Sequence, residues 1–214
     1  MIKNIVFDLG NVLLSFRPSE FFDKKNYPEN IKATILSDIF GSREWGILDN
    51  GEINTQEAIE AIALKSSLKK EEIAHIFNLR SELMFPLDDN VKLLPKLKKQ
   101  GYRLFYLSNF PVDVFEEMST GYYFFKYFDG GIISAEVKFS KPDSRIYKLL
   151  LEKYSLIAEE CLFIDDLEIN VRAAETVGMK GLITFGSQEI SREIKNSINS
   201  TIQTRKFKDY RPES

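Results

Sequence analysis

Short runs of apolar residues alternate along the chain with segments in which apolar residues recur every three or four positions. The first run, 5–14, contains a single carboxylate, Asp8, followed by Leu-Gly-Asn. A short run rich in Val, Ile and Phe is typical of a strand that is buried on both faces. An acid at its carboxyl end faces the crevice where open parallel sheets bind ligands, although an acid that only caps a turn fits the pattern equally well.

The chain beyond Leu87 predicts strands and helices in alternation. Gly and Pro mark several of the boundaries, and Pro142 is expected at or near the first turn of its helix. The predicted strands are 103–107, 130–134, 160–164 and 180–185, and the predicted helices are 90–100, 112–118, 141–154 and 168–177. Such alternation predicts an α/β fold, a doubly wound parallel sheet of Rossmann-like type. Residues 187–214 are expected to form a short helix and a loose tail.

In residues 16–85 the apolar residues recur only at the spacing of a helix, for example at Ile31, Ile35 and Ile39. Breaks at Tyr27-Pro28 and 49–51 separate the helices, and Thr55 is expected near a helix N-terminus. We therefore predict two units, a Rossmann-like core of residues 1–15 and 86–214 and an inserted helical segment of residues 16–85.

Composition narrows the functional classes. The 214 residues carry a formal net charge of -3, which argues against binding nucleic acid by charge alone. Cys161 is the single cysteine and His75 the single histidine, so an intramolecular disulfide is excluded and a Ser-His-Asp triad or a histidine-ligated zinc site is disfavoured. The chain enters its first strand directly and has no apolar stretch of membrane-spanning length, so we expect a cytoplasmic protein without membrane contact.

Polar residues stand where the predicted strands end. Asp8 follows the first strand, Ser108 and Asn109 follow the second, and the Asp165-Asp166 pair follows the fourth. These ends would converge on one crevice, together with Lys141. Asp8 and Asp166 could ligate Mg²⁺, which prefers oxygen ligands. Lys141 could neutralise a phosphoryl oxygen, while Ser108 and Asn109 could donate hydrogen bonds to the same anion.

Four segments resemble, in order and spacing, the motifs of the haloacid dehalogenase-like hydrolase superfamily. They are FDLGNVL at 7–13, LSN at 107–109, KP at 141–142 and FIDDLEINV at 163–171. The inserted helices resemble the small helical cap of that superfamily, and the chain is most similar to its bacterial glucose-1-phosphate phosphatase type and to the phosphatase domain of soluble epoxide hydrolases. The resemblance implies Mg²⁺-dependent hydrolysis of a small phosphate monoester through an aspartyl phosphate, and a sugar phosphate is one candidate substrate.

The resemblance also implies a role for each matching residue. Asp8 and Lys141 would be catalytic, with Asp8 as the nucleophile. Mg²⁺ would be held by Asp8, the Gly10 carbonyl and Asp166. The phosphoryl group would be bound by Ser108, Asn109 and Lys141, while Asp165 and Asn170 would support the metal site from behind.

One position departs from the family pattern, because Gly10 stands where most phosphatases of the superfamily carry a second Asp that serves as the acid and base. Three interpretations remain. The substrate could have a stable leaving oxygen, such as that of a sugar 1-phosphate; a bound water or a cap residue, with Asp49 and Glu52 as candidates, could replace the acid; or the protein could bind phosphate ligands with little turnover. Asp49 and Glu52 also fit a solvated turn.

Two further questions stay open at this stage. A metal-independent 2-haloacid dehalogenase is the alternative enzyme, and the Asp165-Asp166 pair argues against it. Phe16, Arg17, Trp45 and the 49–52 loop fit either packing and turns or the wall of the substrate entrance.

Cap closure would use hinges near 14–18 and 85–88. The sequence leaves the oligomeric state undetermined.

Overall fold

The computed structural model describes residues 1–184 and 190–198. At its centre lies a five-stranded sheet of β1 (Asn4–Phe7), β4 (Arg103–Ser108), β5 (Gly130–Ile133), β6 (Cys161–Asp165) and β7 (Lys180–Ile183). The strand order is β5-β4-β1-β6-β7, and all of the strand pairs are parallel. The predicted doubly wound parallel sheet is thereby confirmed. Its strand order reverses beside β1, and ligands bind at such a point in open α/β sheets.

Both faces of the sheet are buried, as the continuous apolar runs predict. Ile5 and Phe7 of β1 pack into one hydrophobic cluster, whereas Val6 points into the cluster on the opposite face. Because side chains alternate along a strand, a strand covered on both sides needs apolar residues at every position.

Between β1 and β4 the chain forms an inserted helical segment. Its helices are α1 (Pro18–Lys24), α2 (Glu29–Ile35), α3 (Arg43–Asp49), α4 (Thr55–Ala63), α5 (Lys70–Asn78) and α6 (Arg80–Leu83), and a π-helical turn, Leu36–Phe40, follows α2. Asn54 caps α4 in a capping box with Glu57, one residue before the predicted start. The segment has its own apolar cluster, which includes Phe22, Ile59 and Phe77.

A two-stranded antiparallel ribbon joins the inserted segment to the rest of the chain. It pairs β2 (Leu14–Phe16) with β3 (Met84–Pro86). The sequence predicts hinges near both stretches but no pairing between them, so the ribbon was not predicted. The division into a core of residues 1–15 and 86–214 and a cap of residues 16–85 stays a prediction.

The remaining helices cover the sheet. They are α7 (Asp88–Val91), α8 (Leu94–Lys99), α9 (Val112–Gly121), α10 (Ser134–Val137), α11 (Ser144–Lys153) and α12 (Glu168–Thr176), with a further helix at 190–198 and 3-10 turns at Tyr123–Tyr127 and Ala158–Glu160. None of the helices in the described ranges is long and apolar enough to cross a membrane.

Several predicted boundaries differ from the structure. The helix predicted at 90–100 is two short helices, α7 and α8. Helix α11 begins at Ser144, because the Asp143 side chain caps it by accepting a hydrogen bond from the Arg145 amide, so Pro142 lies directly before the cap. Strand β7 ends at Ile183. Phe185, the predicted end of that strand, and the predicted tail beyond 198 lie outside the described residues.

Candidate active site

The carboxyl ends of β1, β4 and β6 bring the predicted polar residues together. Phe7 is in register with Ile164, so Asp8 and Asp165 follow at the same level of two neighbouring strands. The Asp8 amide donates a hydrogen bond to the Ile164 carbonyl at 2.8 Å, which fixes the backbone at the point where β1 ends. Ser108 is the last residue of β4, on the other side of β1.

The Asp8 carboxylate is held by one of its two oxygens. Oδ1 accepts hydrogen bonds from the Leu9 amide and the Ser108 hydroxyl, both at 2.7 Å, and lies 2.8 Å from Lys141 Nζ. Among the described residues no polar contact ends on Oδ2. Burial raises the pKa of Asp8 to about 6 against the opposing charge of Lys141.

Lys141 lies between two carboxylates. Its Nζ is 2.8 Å from Asp8 Oδ1 and 2.6 Å from Asp165 Oδ2, and its side chain is 1% exposed. Burial opposes the charged ammonium, but Asp8 and Asp165 more than offset this effect, so that the pKa of Lys141 is raised. Asn109 fixes the Lys141 backbone, because its side-chain amide donates to the Lys141 carbonyl at 3.0 Å and its oxygen accepts from the Lys141 amide at 2.8 Å.

The two neighbouring acids have different surroundings. Asp165 is fully buried, and its carboxylate accepts from Lys141, the Leu167 amide at 2.9 Å and the Asn170 side chain at 3.0 and 3.2 Å. Asp166 is only partly buried, and within the described ranges its carboxylate accepts from one side chain, Asn11, at 3.1 Å. Burial raises the pKa of Asp166, and the charge of Asp165 adds to the effect.

Oxygen atoms of Asp8, Asp165 and Asp166 lie within 4.8 Å of one another. Three acids at this distance repel unless a cation neutralises them, and Lys141 supplies only one positive charge. The free oxygens of Asp8 and Asp166 are hard ligands of the type that Mg²⁺ prefers. The donor set therefore fits a divalent cation, with Asp8 and Asp166 better placed to hold it than Asp165.

Asn11 is a site residue for which the sequence predicts no individual role. Its side-chain amide donates to Asp166, and its oxygen accepts from the Phe16 amide at 3.0 Å. Its backbone adopts a left-handed conformation with φ of 53°, which Asn tolerates better than most residues. Asn11 thus links the turn after β1 to both Asp166 and the start of the inserted segment.

A cavity opens above these groups, and the inserted segment forms one of its sides. Asp8, Ser108 and Lys141 line its base. The walls include the following residues: Phe16, Trp45, Asp49, Arg80, Met84, Phe110 and Val114. With a volume of about 140 Å³ it has room for about five water molecules. Phe16 and Trp45 stack at 6.1 Å between ring centroids, so these two residues both pack together and contribute to the wall.

Two of the other residues proposed for the entrance lie elsewhere. Arg17 pairs with Glu20 on the surface at 3.1 Å, with about half of each side chain exposed. Glu52 is exposed and accepts a hydrogen bond from the Asn50 side chain. Arg80, for which the sequence predicts no role, lines the cavity, and its side chain is 12% exposed.

A doubly wound sheet with three carboxylates and a buried lysine at its switch point defines an α/β enzyme whose site suits an anionic substrate and a cation. The chain belongs to the haloacid dehalogenase-like hydrolase family, whose model matches residues 2–178. The prediction of a hydrolase of this superfamily is confirmed. The finer resemblance to glucose-1-phosphate phosphatases and to the epoxide hydrolase domain stays a prediction.

Relatives and solved structures agree with this assignment. The chain is 28% identical over 196 residues to sesquiterpene phosphatase astK of Aspergillus oryzae, covering 92% of this chain and 96% of the relative. It is 25% identical over 185 residues to a phosphorylated carbohydrates phosphatase of Thermotoga maritima, covering 84% and 83%. The HAD family enzyme bt-2542 of Bacteroides thetaiotaomicron, solved with magnesium and inorganic phosphate, superimposes with a TM-score of 0.66 and 26% identity over 86% of this chain and 94% of that structure.

Proposed function

We propose that this protein is a Mg²⁺-dependent phosphatase that transfers the phosphoryl group of a small phosphate monoester to Asp8 and then to water. The observation that carries the proposal is the position of Lys141, whose buried ammonium contacts Asp8 at the base of the cavity while Asp166 lies beside them. Phosphoryl transfer depends mainly on positioning and on neutralising charge, and these groups provide both.

The proposed roles follow from the contacts. Lys141 and the Leu9 and Ser108 donors bind Oδ1 and thereby hold the Asp8 carboxylate in position to attack phosphorus. We assign Asp8, the Gly10 carbonyl and Asp166 to the metal. Mg²⁺, when bound, neutralises charge on the phosphoryl oxygens and on the carboxylates that face them. Asp165 pairs with Lys141 and accepts hydrogen bonds from the Leu167 amide and the Asn170 side chain, so both of its oxygens are already engaged.

Ser108, Asn109 and Lys141 are assigned to the phosphoryl group. In the structure the Ser108 hydroxyl donates to Asp8, and the Asn109 side chain pairs with the Lys141 backbone. We infer that Asn109 contributes mainly by positioning Lys141. The Asn170 side chain donates to Asp165, which agrees with a supporting role.

The cavity walls favour a substrate with an apolar organic group. Phe16, Trp45, Met84, Phe110 and Val114 present carbon surface above the phosphoryl site. A sugar would bury several hydroxyls, for which the wall residues named above offer only Asp49 and Arg80 as partners, and an unpaired buried hydroxyl is costly. The two phosphatase relatives act, by their names, on a sesquiterpene and on phosphorylated carbohydrates. We place an alkyl or terpenoid phosphate ahead of a sugar phosphate.

A panel of phosphate monoesters assayed with Mg²⁺ and with EDTA tests the proposal. We expect hydrolysis only with Mg²⁺, a preference for apolar alcohols, and no turnover by Asp8→Asn. Asp89→Asn, which removes an exposed surface carboxylate, is the matched control and should behave as the wild type.

Two results would contradict the proposal. Release of halide from 2-haloacids in the presence of EDTA would favour the dehalogenase alternative. Tight binding of Mg²⁺ and phosphate without turnover of any ester would favour a binding protein.

A further inference from the structure

The proposed reaction needs a proton donor that the residues around Asp8 do not supply. When Asp8 attacks phosphorus, the ester oxygen leaves as an alkoxide and must be protonated. Gly10 has no side chain that could donate a proton. The site has space for one, because a Cβ at that position would meet no atom within 4 Å. Lys141 is ion-paired with two carboxylates, and its pKa is raised, so it holds its proton more tightly than a free lysine. A side-chain donor therefore has to lie on another wall of the cavity.

Asp49 is a carboxyl group on the wall formed by the inserted segment. It is the last residue of α3, and the loop that follows is docked on the core beside Lys141. The Ser134 hydroxyl donates to the Asp49 carbonyl, the Ser140 hydroxyl donates to Asn50 Oδ1 at 2.8 Å, and Lys138 Nζ donates to the Gly51 carbonyl. These three contacts fix the loop at Asp49, so the position of Asp49 does not depend on contacts of its own carboxyl group.

Gly51 makes this docking possible. Its φ of +68° lies in the left-handed region, and a Cβ there would approach the Ala135 carbonyl oxygen to 2.4 Å. Only glycine allows the two backbones to meet this closely. The sequence Asp49-Asn50-Gly51 therefore forms a contact between the inserted segment and the core rather than a solvated turn.

The surroundings of the Asp49 carboxyl favour its protonated form. Burial raises its pKa to about 8, while Arg80 and the Trp45 indole oppose the shift. Arg80 cannot neutralise Asp49 fully, because its guanidinium already donates to Asp113 at 3.1 Å and to the Phe77 carbonyl at 2.8 Å. Of the other charged groups in the described ranges, Asp8 and Lys141 line this cavity, and the neighbouring groove is lined by Glu52, Asp113, Glu116 and Lys138.

We propose that Asp49 is the general acid and base of the reaction, taking the place that Gly10 leaves vacant. This inference rests on the proposed function. In the first step an Asp8 oxygen bonds to phosphorus, the P–O bond to the alcohol breaks, and the leaving oxygen takes the Asp49 proton. In the second step the Asp49 carboxylate takes a proton from water, whose oxygen bonds to phosphorus as the bond to Asp8 breaks. Inorganic phosphate leaves, and both carboxyl groups return to their starting states.

The test compares Asp49→Asn on two esters with leaving groups of different basicity. An alkyl phosphate needs protonation of its leaving oxygen, so kcat/KM should fall about 10²- to 10⁴-fold. Nitrophenolate is a stable anion, so kcat/KM for p-nitrophenyl phosphate should change less than about tenfold. Because the second step still lacks its base, the variant should release nitrophenolate in a burst of one equivalent per site, followed by slow turnover.

The pH profile gives a second readout. In the wild type, kcat/KM for the alkyl phosphate should fall above about pH 8 as Asp49 loses its proton, and Asp49→Asn should remove this limb. Glu52→Gln, a neighbouring acid outside the cavity, is the matched control and should leave both the activity and the limb unchanged.

The possible outcomes separate the two proposals. Equal losses on both esters, or an alkyl phosphatase activity that survives Asp49→Asn with its alkaline limb, would overturn the role of Asp49 and leave the proposed function standing. A wild type that hydrolyses neither ester, or an Asp8→Asn variant that still hydrolyses them, would overturn the proposed function itself. Retained activity of Asp49→Asn on p-nitrophenyl phosphate shows that the variant is folded.

Discussion

The charge of Asp8 should destabilise the metal-free protein. The residue is 7% exposed, and burial together with the charge of Asp165 raises its pKa from 3.8 to about 6, even with Lys141 beside it. A carboxyl whose pKa is higher in the folded state binds its proton more tightly there than in the unfolded chain. Ionising Asp8 at neutral pH therefore costs folding free energy that a bound cation would restore.

The magnitude follows from the pKa difference. Each pKa unit is worth about 1.4 kcal/mol, so an increase from 3.8 to about 6 corresponds to about 3 kcal/mol. The stability of the metal-free protein should fall as the pH rises from about 4 to about 6, and this contribution is constant above that range. Asp8→Asn keeps an oxygen for the Leu9 and Ser108 donors and removes the charge. We expect it to raise the free energy of unfolding by about 1–3 kcal/mol near pH 7.5, and by less near pH 5.

Urea unfolding in EDTA at these two pH values measures the effect. Asp89→Asn, an exposed acid, is the control and should change the free energy of unfolding by less than about 0.5 kcal/mol. Adding Mg²⁺ at about 100 times its dissociation constant should stabilise the wild type by about 2.7 kcal/mol and the variant by less. A variant that is less stable than the wild type in EDTA at both pH values would refute this reasoning.

Three further predictions concern other parts of the fold. Gly51→Ala should weaken the contact with Ala135, so both the free energy of unfolding, by about 1–3 kcal/mol, and kcat/KM should fall. Gly46→Ala is the control, because Gly46 lies within α3 and a Cβ there meets no atom within 4 Å; it should be neutral or stabilising in the same assays. Burial raises the pKa of the Cys161 thiol to about 12, so a thiol reagent at neutral pH should label it only in denaturant; rapid labelling of the native protein would contradict its buried position. Tyr147→Phe removes the 2.9 Å hydrogen bond to the Asn170 carbonyl and should lower the Tm by about 2–4 °C in thermal unfolding; an unchanged Tm would mean that the bond contributes nothing.

Local patterns predicted the parallel sheet and the residues at its edge. Each buried strand is a short apolar run, and the acid or amide that interrupts the run marks where the strand ends. Because parallel strands end on the same edge, Asp8, Ser108 and Asp165 could be placed together without knowing the strand order. The same reasoning placed Lys141 near them, and the structure buries it between Asp8 and Asp165.

The missed features depend on contacts between segments that are distant in the chain. The ribbon pairs Leu14–Phe16 with Met84–Pro86, and strands of three residues leave no periodicity to detect. The local sequence around Asp49 is that of an exposed turn, and its burial results from docking on Ser134 and Ala135.

The most direct test of the central claim is to quench the protein with acid while it hydrolyses a phosphate ester in Mg²⁺ and to analyse its peptides by mass spectrometry. We predict that the peptide containing Asp8 carries one phosphoryl group, that Asp49→Asn increases the labelled fraction, and that Asp8→Asn abolishes it. Steady release of phosphate with the label on another residue, or with an active Asp8→Asn variant, would contradict the account.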